Sequence, residues 1–270
     1  MSIVYERISV IVSLSLIGLT LYSALPFTQQ VTAIMLFNSP LGIDSPQRWV
    51  MGLLLVAMVV AGTDTVIRTH PQLPSTRLNY VATFCMLPGL LVILATQVLA
   101  FAPNSQIWAG GLVSLGLLMW VTIFSQFQQV ALKSNVQQAQ WSRIWQQLLG
   151  YSLMLILSIV IYHARSRAAL SATGMSIITL MTTVTLLRQE SAHISKTWLF
   201  AGIIALNLGQ LMWVLNYWRI TSLHAGLILF LMFYILLGLA QQQLLGKFSQ
   251  RLLWEFGIMA AITLLVIFRL

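Results

Sequence analysis

The sequence predicts an all-α fold, a polytopic transmembrane helix bundle of about nine spans (roughly eight to ten) with its N-terminus in the cytoplasm. Of the 270 residues, 59% are hydrophobic and only 7% are charged, where a soluble domain carries roughly 25% charged residues. The mean hydropathy is +0.88. The apolar residues come in runs long enough to cross hydrocarbon, separated by short polar connections. A water-soluble monomer, a disordered chain and a disulfide scaffold are excluded.

A spanning helix needs about 20 mostly apolar residues, at about 1.5 Å rise each, to cross about 30 Å of hydrocarbon. The runs that meet this requirement are residues 8–25, 49–67, 80–102, 107–127, 145–162, 168–187, 198–217, 223–245 and 252–268. Their connections are short, so sequence neighbours are expected to pack antiparallel within a single integral membrane domain, residues 1–270.

The first run follows Arg7 and resembles a signal peptide in length. Tyr22 is a poor residue three before a cut, and Pro26 follows closely, so it reads as a retained first span. Residues 26–47 are too punctuated to span, and are expected to form an outer interfacial or re-entrant segment, or a loop lying on the membrane. All seven prolines fall in residues 1–103. Proline removes a backbone donor and kinks or ends helices. The first three spans are therefore expected to be irregular, and residues 104–270 a more regular bundle. Glutamine clusters at 126–129, 137–147 and 241–243 read as solvated helix ends.

Orientation follows from the basic residues. Arg7, Arg68, Arg77, Lys133, Arg143, Arg188, Lys196, Lys247 and Arg251 fall on the N-terminal side. Arg48, Arg165, Arg167, Arg219 and Arg269 fall on the other. The excess places the N-terminus inside. The same distribution explains the +9 net charge without nucleic acid, since no dense basic block exists. Trp49, Trp108, Trp145, Trp198, Trp218 and Trp254 lie near expected span ends, where an indole keeps its ring apolar and its N–H wet. Trp120 and Trp213 lie deeper and need packing partners.

Polar groups at membrane depth are costly and mark candidate sites. Asp64 lies four residues before Arg68, and Glu255 four after Arg251. Residues four apart share a helix face, so both acids read as interfacial ion pairs rather than proton relays. On the seventh span, Ala201, Ala205 and Gly209 make a flat face for close helix approach. Asn207, Gln210, Trp213 and Tyr217 form a second stripe. That stripe either lines a cavity for an amphipathic ligand or hydrogen-bonds to neighbouring helices, each bond contributing about 0.6–2 kcal/mol. His163 and His224 lie near the outer ends of the fifth and eighth spans. Imidazole is the usual nitrogen donor to haem iron or chlorin magnesium, so these two are the candidate cofactor ligands, although the sequence requires no cofactor.

The lone Cys85 supplies neither an internal disulfide nor a cysteine metal site, and no other metal site is expected. Gly246-Lys247 is followed by Phe248 and lacks a phosphate loop. Residues 111–116 carry no nucleophile elbow, and no paired-carboxylate or H-E-x-x-H site exists. No catalytic residue is nominated.

One stretch, residues 211–257, does suggest a family. It contains Trp213-Val214-Leu215-Asn216-Tyr217-Trp218, Gly226-Leu227-Ile228-Leu229-Phe230, residues 233–241 and Glu255-Phe256. It resembles an uncharacterised family of polytopic bacterial membrane proteins. The resemblance implies residence in a bacterial membrane, inner cytoplasmic or photosynthetic, and carries no activity. The functional expectation is a structural or accessory subunit of a larger membrane complex. Its partners are the lipid bilayer and other membrane subunits or further copies of itself. A carrier or scramblase-like protein for a lipophilic solute, and a haem- or pigment-binding subunit, are the alternatives.

Overall fold

The computed structural model describes residues 2–25, 31–36, 39–44, 46–70, 78–99, 105–130, 136–164, 168–188, 194–218, 220–246 and 257–258. Among these the chain forms eight long helices and one β-hairpin. All eight helices are long and apolar enough to cross a membrane, which fits a multi-pass membrane protein. Their outward faces carry large apolar side chains, including Leu53, Leu54, Leu117 and Leu206, each more than 60% exposed. A chain in water would bury such residues, whereas lipid tails accept them. The expected span at 252–268 lies outside the described residues.

The chain divides into two compact units, Met1–Ala139 and Gln140–Leu270. The first holds α1 (Ser2–Ala24), β1 (Val31–Leu36), β2 (Ser39–Asp44), α2 (Pro46–Arg68), α3 (Leu78–Val98) and α4 (Ser105–Val130). The two strands pair antiparallel, from Val31 opposite Asp44 to Leu36 opposite Ser39. The described residues of the stretch 26–47, expected as an outer interfacial or re-entrant segment or a loop, are thus paired strands. The β-branched run at Val31 and Thr32 favours extended backbone, and Pro40 is accommodated because a two-stranded hairpin has only edges.

α3 is the most enclosed helix of this unit: 78% of its Val81–Val98 window is buried, against 28% of α2. It stays continuous through Pro88, which supplies no N–H to the carbonyl of Phe84 one turn back. α1 packs on α2 and α4. A Cβ at Gly62 would press on Ile11, so the glycine sets the α1–α2 approach. Ser15 donates to the carbonyl of Val12 at 2.7 Å, and its Oγ lies 3.2 Å from the Met119 sulfur of α4. Tyr5 stacks on both Trp120 and Phe124, which supplies partners for the deep Trp120.

The second unit holds α5 (Val136–His163), α6 (Ala168–Arg188), α7 (Ile194–Asn216) and α8 (Ser222–Leu244). α6 and α7 form its tightest pair through the expected small face of α7. Ala201, Ala205 and Gly209 are all buried, and Gly209 rests on Ser176 and Ala172 of α6. α5 meets α8 where Tyr151 packs edge-on against Phe230 and Phe233. Ser158 donates to the carbonyl of Gly226 at 3.3 Å. Gly226 is required there, because a side chain would run into Ile159.

Candidate functional site

The end of the second unit where α5 and α7 finish is tied together by polar side chains. The hydroxyl of Tyr162, 4% exposed, points at three backbone carbonyls: Trp218 at 2.8 Å, Leu215 at 3.2 Å and Ile220 at 3.5 Å. These carbonyls belong to the last turn of α7 and the connection to α8, so the phenol satisfies acceptors that the helix end leaves open. Asn216 donates to Ser171 Oγ at 2.5 Å, joining the end of α7 to the start of α6. Thr221 caps α8, its side chain accepting from the backbone N–H of His224.

Both candidate histidines fall in this cluster. His163 Nδ1 lies 3.3 Å from Ser222 Oγ, and His224 Nδ1 is hydrogen-bonded to Thr221 Oγ1. The two rings therefore sit beside consecutive residues at the α8 start, each with Nδ1 engaged by a hydroxyl. Among the described residues no three His, Cys, Asp or Glu side chains converge on a metal position.

The stripe Asn207, Gln210, Trp213 and Tyr217 occupies the outward face of α7. All four are exposed, at 47% for Trp213 and 76% for Tyr217. The opposite face, from Ala201 through Ile204, Leu208 and Met212 to Leu215, is buried. Asn207 Nδ2 donates to the carbonyl of Ile203 at 2.8 Å, within its own helix. Trp213 Nε1 donates to the Tyr217 hydroxyl at 3.3 Å. Asn207 stands about 20 Å along α7 from its start, at about 1.5 Å per residue, so the carboxamides lie well within the apolar length of the helix. Neither reaches another helix among the described residues. A carboxamide facing hydrocarbon is unfavourable, and one interhelical bond would return about 0.6–2 kcal/mol.

In the first unit Arg68 Nε donates to Asp64 Oδ2 at 2.7 Å, an i, i+4 pair with both side chains about one-third exposed. The second pair, Arg251 and Glu255, lies outside the described residues. Just past α2, His70 is 8% exposed with its ring against Phe127 at 4.6 Å. Burial pushes its imidazole below the usual histidine pKa.

Some polar positions depart from the sequence reading, which took the glutamine clusters as solvated helix ends, or were not singled out by it. Gln126, Gln129 and Gln146 are buried rather than solvated, and neither amide atom of Gln126 is hydrogen-bonded among the described residues. α6 buries Thr179, Thr182, Thr183 and Thr185. The Thr182 and Thr185 hydroxyls donate one turn back, to Ile178 and Met181. Tyr162 was the least legible, because its acceptors are carbonyls more than fifty residues away.

The family model for a protein of unknown function, DUF5656, matches residues 27–270, and the chain belongs to this family. No curated protein matches the sequence, and no solved structure matches the fold.

Proposed function

Taking that membership as the premise, we propose that the chain is a non-catalytic, multi-pass subunit of a bacterial inner membrane, cytoplasmic or photosynthetic, that acts by assembling laterally with other membrane chains. The observation that carries this reading is the outward face of α7, where Asn207 and Gln210 are exposed well within the apolar length of the helix. Lipid offers a carboxamide no hydrogen-bonding partner, and a neighbouring transmembrane helix does. The basic residues favour an N-terminus in the cytoplasm, with Arg7, Arg68 and Arg188 on that side.

Purification from the source membrane in mild detergent tests the reading, with particle mass and visible absorbance recorded together. The expected particle is heavier than one 30.2 kDa chain with its detergent. A particle holding a single chain would overturn the reading. A visible absorption band lost on replacing His163 and His224 would redirect it toward pigment or haem holding.

A further inference from the structure

We infer that the first unit holds a buried polar site around Gln126, at the end where α2 and α4 finish, and that it takes one small uncharged guest carrying O–H or N–H donors: water, or a solute of the same chemistry. The inference does not depend on lateral assembly. Gln126 is fully buried, and neither its Nε2 nor its Oε1 has a hydrogen-bond partner among the described residues. Buried polar groups of folded proteins nearly all bond to protein or ordered water, so this carboxamide requires a partner. Gln126 follows Met119 by seven residues and Ile123 by three, and so shares their face of α4. Those two belong to one core cluster with Val59 and Val66 of α2. Thr63, four after Val59 and three before Val66, is fully buried on the same α2 face. His70, seven after Thr63, brings its ring to 4.6 Å from Phe127, the residue after Gln126. Thr122, one turn before Gln126, is fully buried as well. Two helices thus bring four buried polar side chains to one end of the unit. Gln126 stands only four residues before the end of α4 at Val130, about 6 Å at about 1.5 Å per residue.

The groups at this place select the guest. Thr63 donates to the carbonyl of Val59, and Thr122 to that of Leu118. Each hydroxyl gives its proton to its own helix and keeps lone pairs to accept with. Gln126 adds two N–H donors and a carbonyl oxygen. Burial keeps His70 uncharged at neutral pH. Asp64, beside Thr63 in the sequence, takes the Arg68 Nε–H at 2.7 Å, and both side chains are about one-third exposed. None of the four buried groups is charged, so a bare cation would find no carboxylate among them and an anion no basic group. A burial as complete as that of Gln126 admits only a small guest. A buried water makes about three hydrogen bonds, and the carboxamide with the two threonine oxygens supplies that number.

An experimental structure of the particle purified in mild detergent, at a resolution that shows ordered water, tests this. The expected result is density within hydrogen-bonding distance of the Gln126 carboxamide and of Thr63 or Thr122 Oγ1. Density for one atom assigns the guest as water, and a larger feature assigns it as a small co-purified solute. A carboxamide bonded to a protein group, or one with no density beside it, would overturn the inference. Melting temperatures give a second readout. Gln126→Leu is expected to lower the melting temperature by about 2–4 °C, because it takes the guest's main partner away. Were the carboxamide dry, leucine would relieve an unpaired buried group and the temperature would rise, which also overturns the inference. Thr63→Val is the control on the other helix. Its loss combined with that of Gln126→Leu is expected to be less than additive, since both variants release the same guest. Strict additivity would count against a shared guest. If Gln126→Leu does not fold, the density in the wild type decides.

Discussion

Gly209 of α7 lies so close to Ser176 of α6 that a methyl group in place of the glycine hydrogen would overlap the serine Oγ. Ser176 can rotate away, but the carbonyl oxygen of Ala172, 3.2 Å from the same position, cannot. Small residues at this spacing let two backbones approach, and they govern helix pairs in lipid because apolar surface alone gives no preference for helix over lipid. Gly209→Ala is therefore expected to destabilise the chain by about 1–3 kcal/mol. Thermal unfolding in detergent measures it. The double variant with Ser176→Ala, which removes the nearest atom, is expected to recover part of the loss. Full stability in Gly209→Ala alone would mean that the α6–α7 approach is looser than described.

Tyr162 gives a second prediction of opposite kind, the loss of one polar atom with shape retained. Its hydroxyl donates to the Trp218 carbonyl at 2.8 Å from a buried position. Tyr162→Phe removes the donor and strands that acceptor at the end of α7, at a cost of about 1 kcal/mol. Hydrogen exchange should rise locally at residues 215–225. An exchange increase spread over all of α5 would instead mean that Tyr162 matters through packing.

These two contacts show what the sequence made legible. The Ala201, Ala205 and Gly209 face was readable because a helix repeats its neighbours every three to four residues, and small residues at that period leave room for only one kind of contact. The eight described helices were readable because hydrocarbon thickness dictates the length of an apolar run. The Tyr162 acceptors were not, since a backbone carbonyl is present at every residue and only the meeting of α5 with the α7–α8 connection selects three of them. The hairpin was missed because its two six-residue strands are short and its second strand, with Pro40 and Gly42, reads in the sequence like loop punctuation. The direction of the Asn207 stripe was also hidden. A helix inside a bundle can turn both a small face and a polar face to neighbours, and nothing in the sequence of α7 says that only the small one does.

His70 carries the pH prediction. Burial lowers its folded-state pKa below the ordinary value of 6.5. Between the lowered value and 6.5 the unfolded chain binds the extra proton, so stability rises with pH across that window. This contribution is present in full above 6.5 and is lost as pH falls through the folded-state value. Melting temperatures from about pH 8 down to about pH 5 should decline in the wild type and decline less in His70→Leu. Parallel curves would show that His70 titrates alike in both states.

The exposed stripe makes the sharpest contrast with its own helix. Asn207 and Leu208 are adjacent, yet Asn207 is exposed while Leu208 is fully buried. Asn207→Leu removes only a bond to a carbonyl of the same helix turn, so the fold of the solubilised chain should change by less than about 0.5 kcal/mol. Gln210→Leu should behave the same way. Leu208→Asn takes a side chain out of the packed face and puts an unpartnered carboxamide there, which should cost about 2–5 kcal/mol by combining a lost apolar contact with a buried polar group. Thermal unfolding of the three variants in one detergent decides the matter. If Asn207→Leu is as damaging as Leu208→Asn, then Asn207 points into the bundle, and α7 has no polar face to offer a partner. If only Leu208→Asn is damaging, the carboxamides of α7 are not there for the fold of one chain, and their role has to be sought in what lies beside it in the membrane.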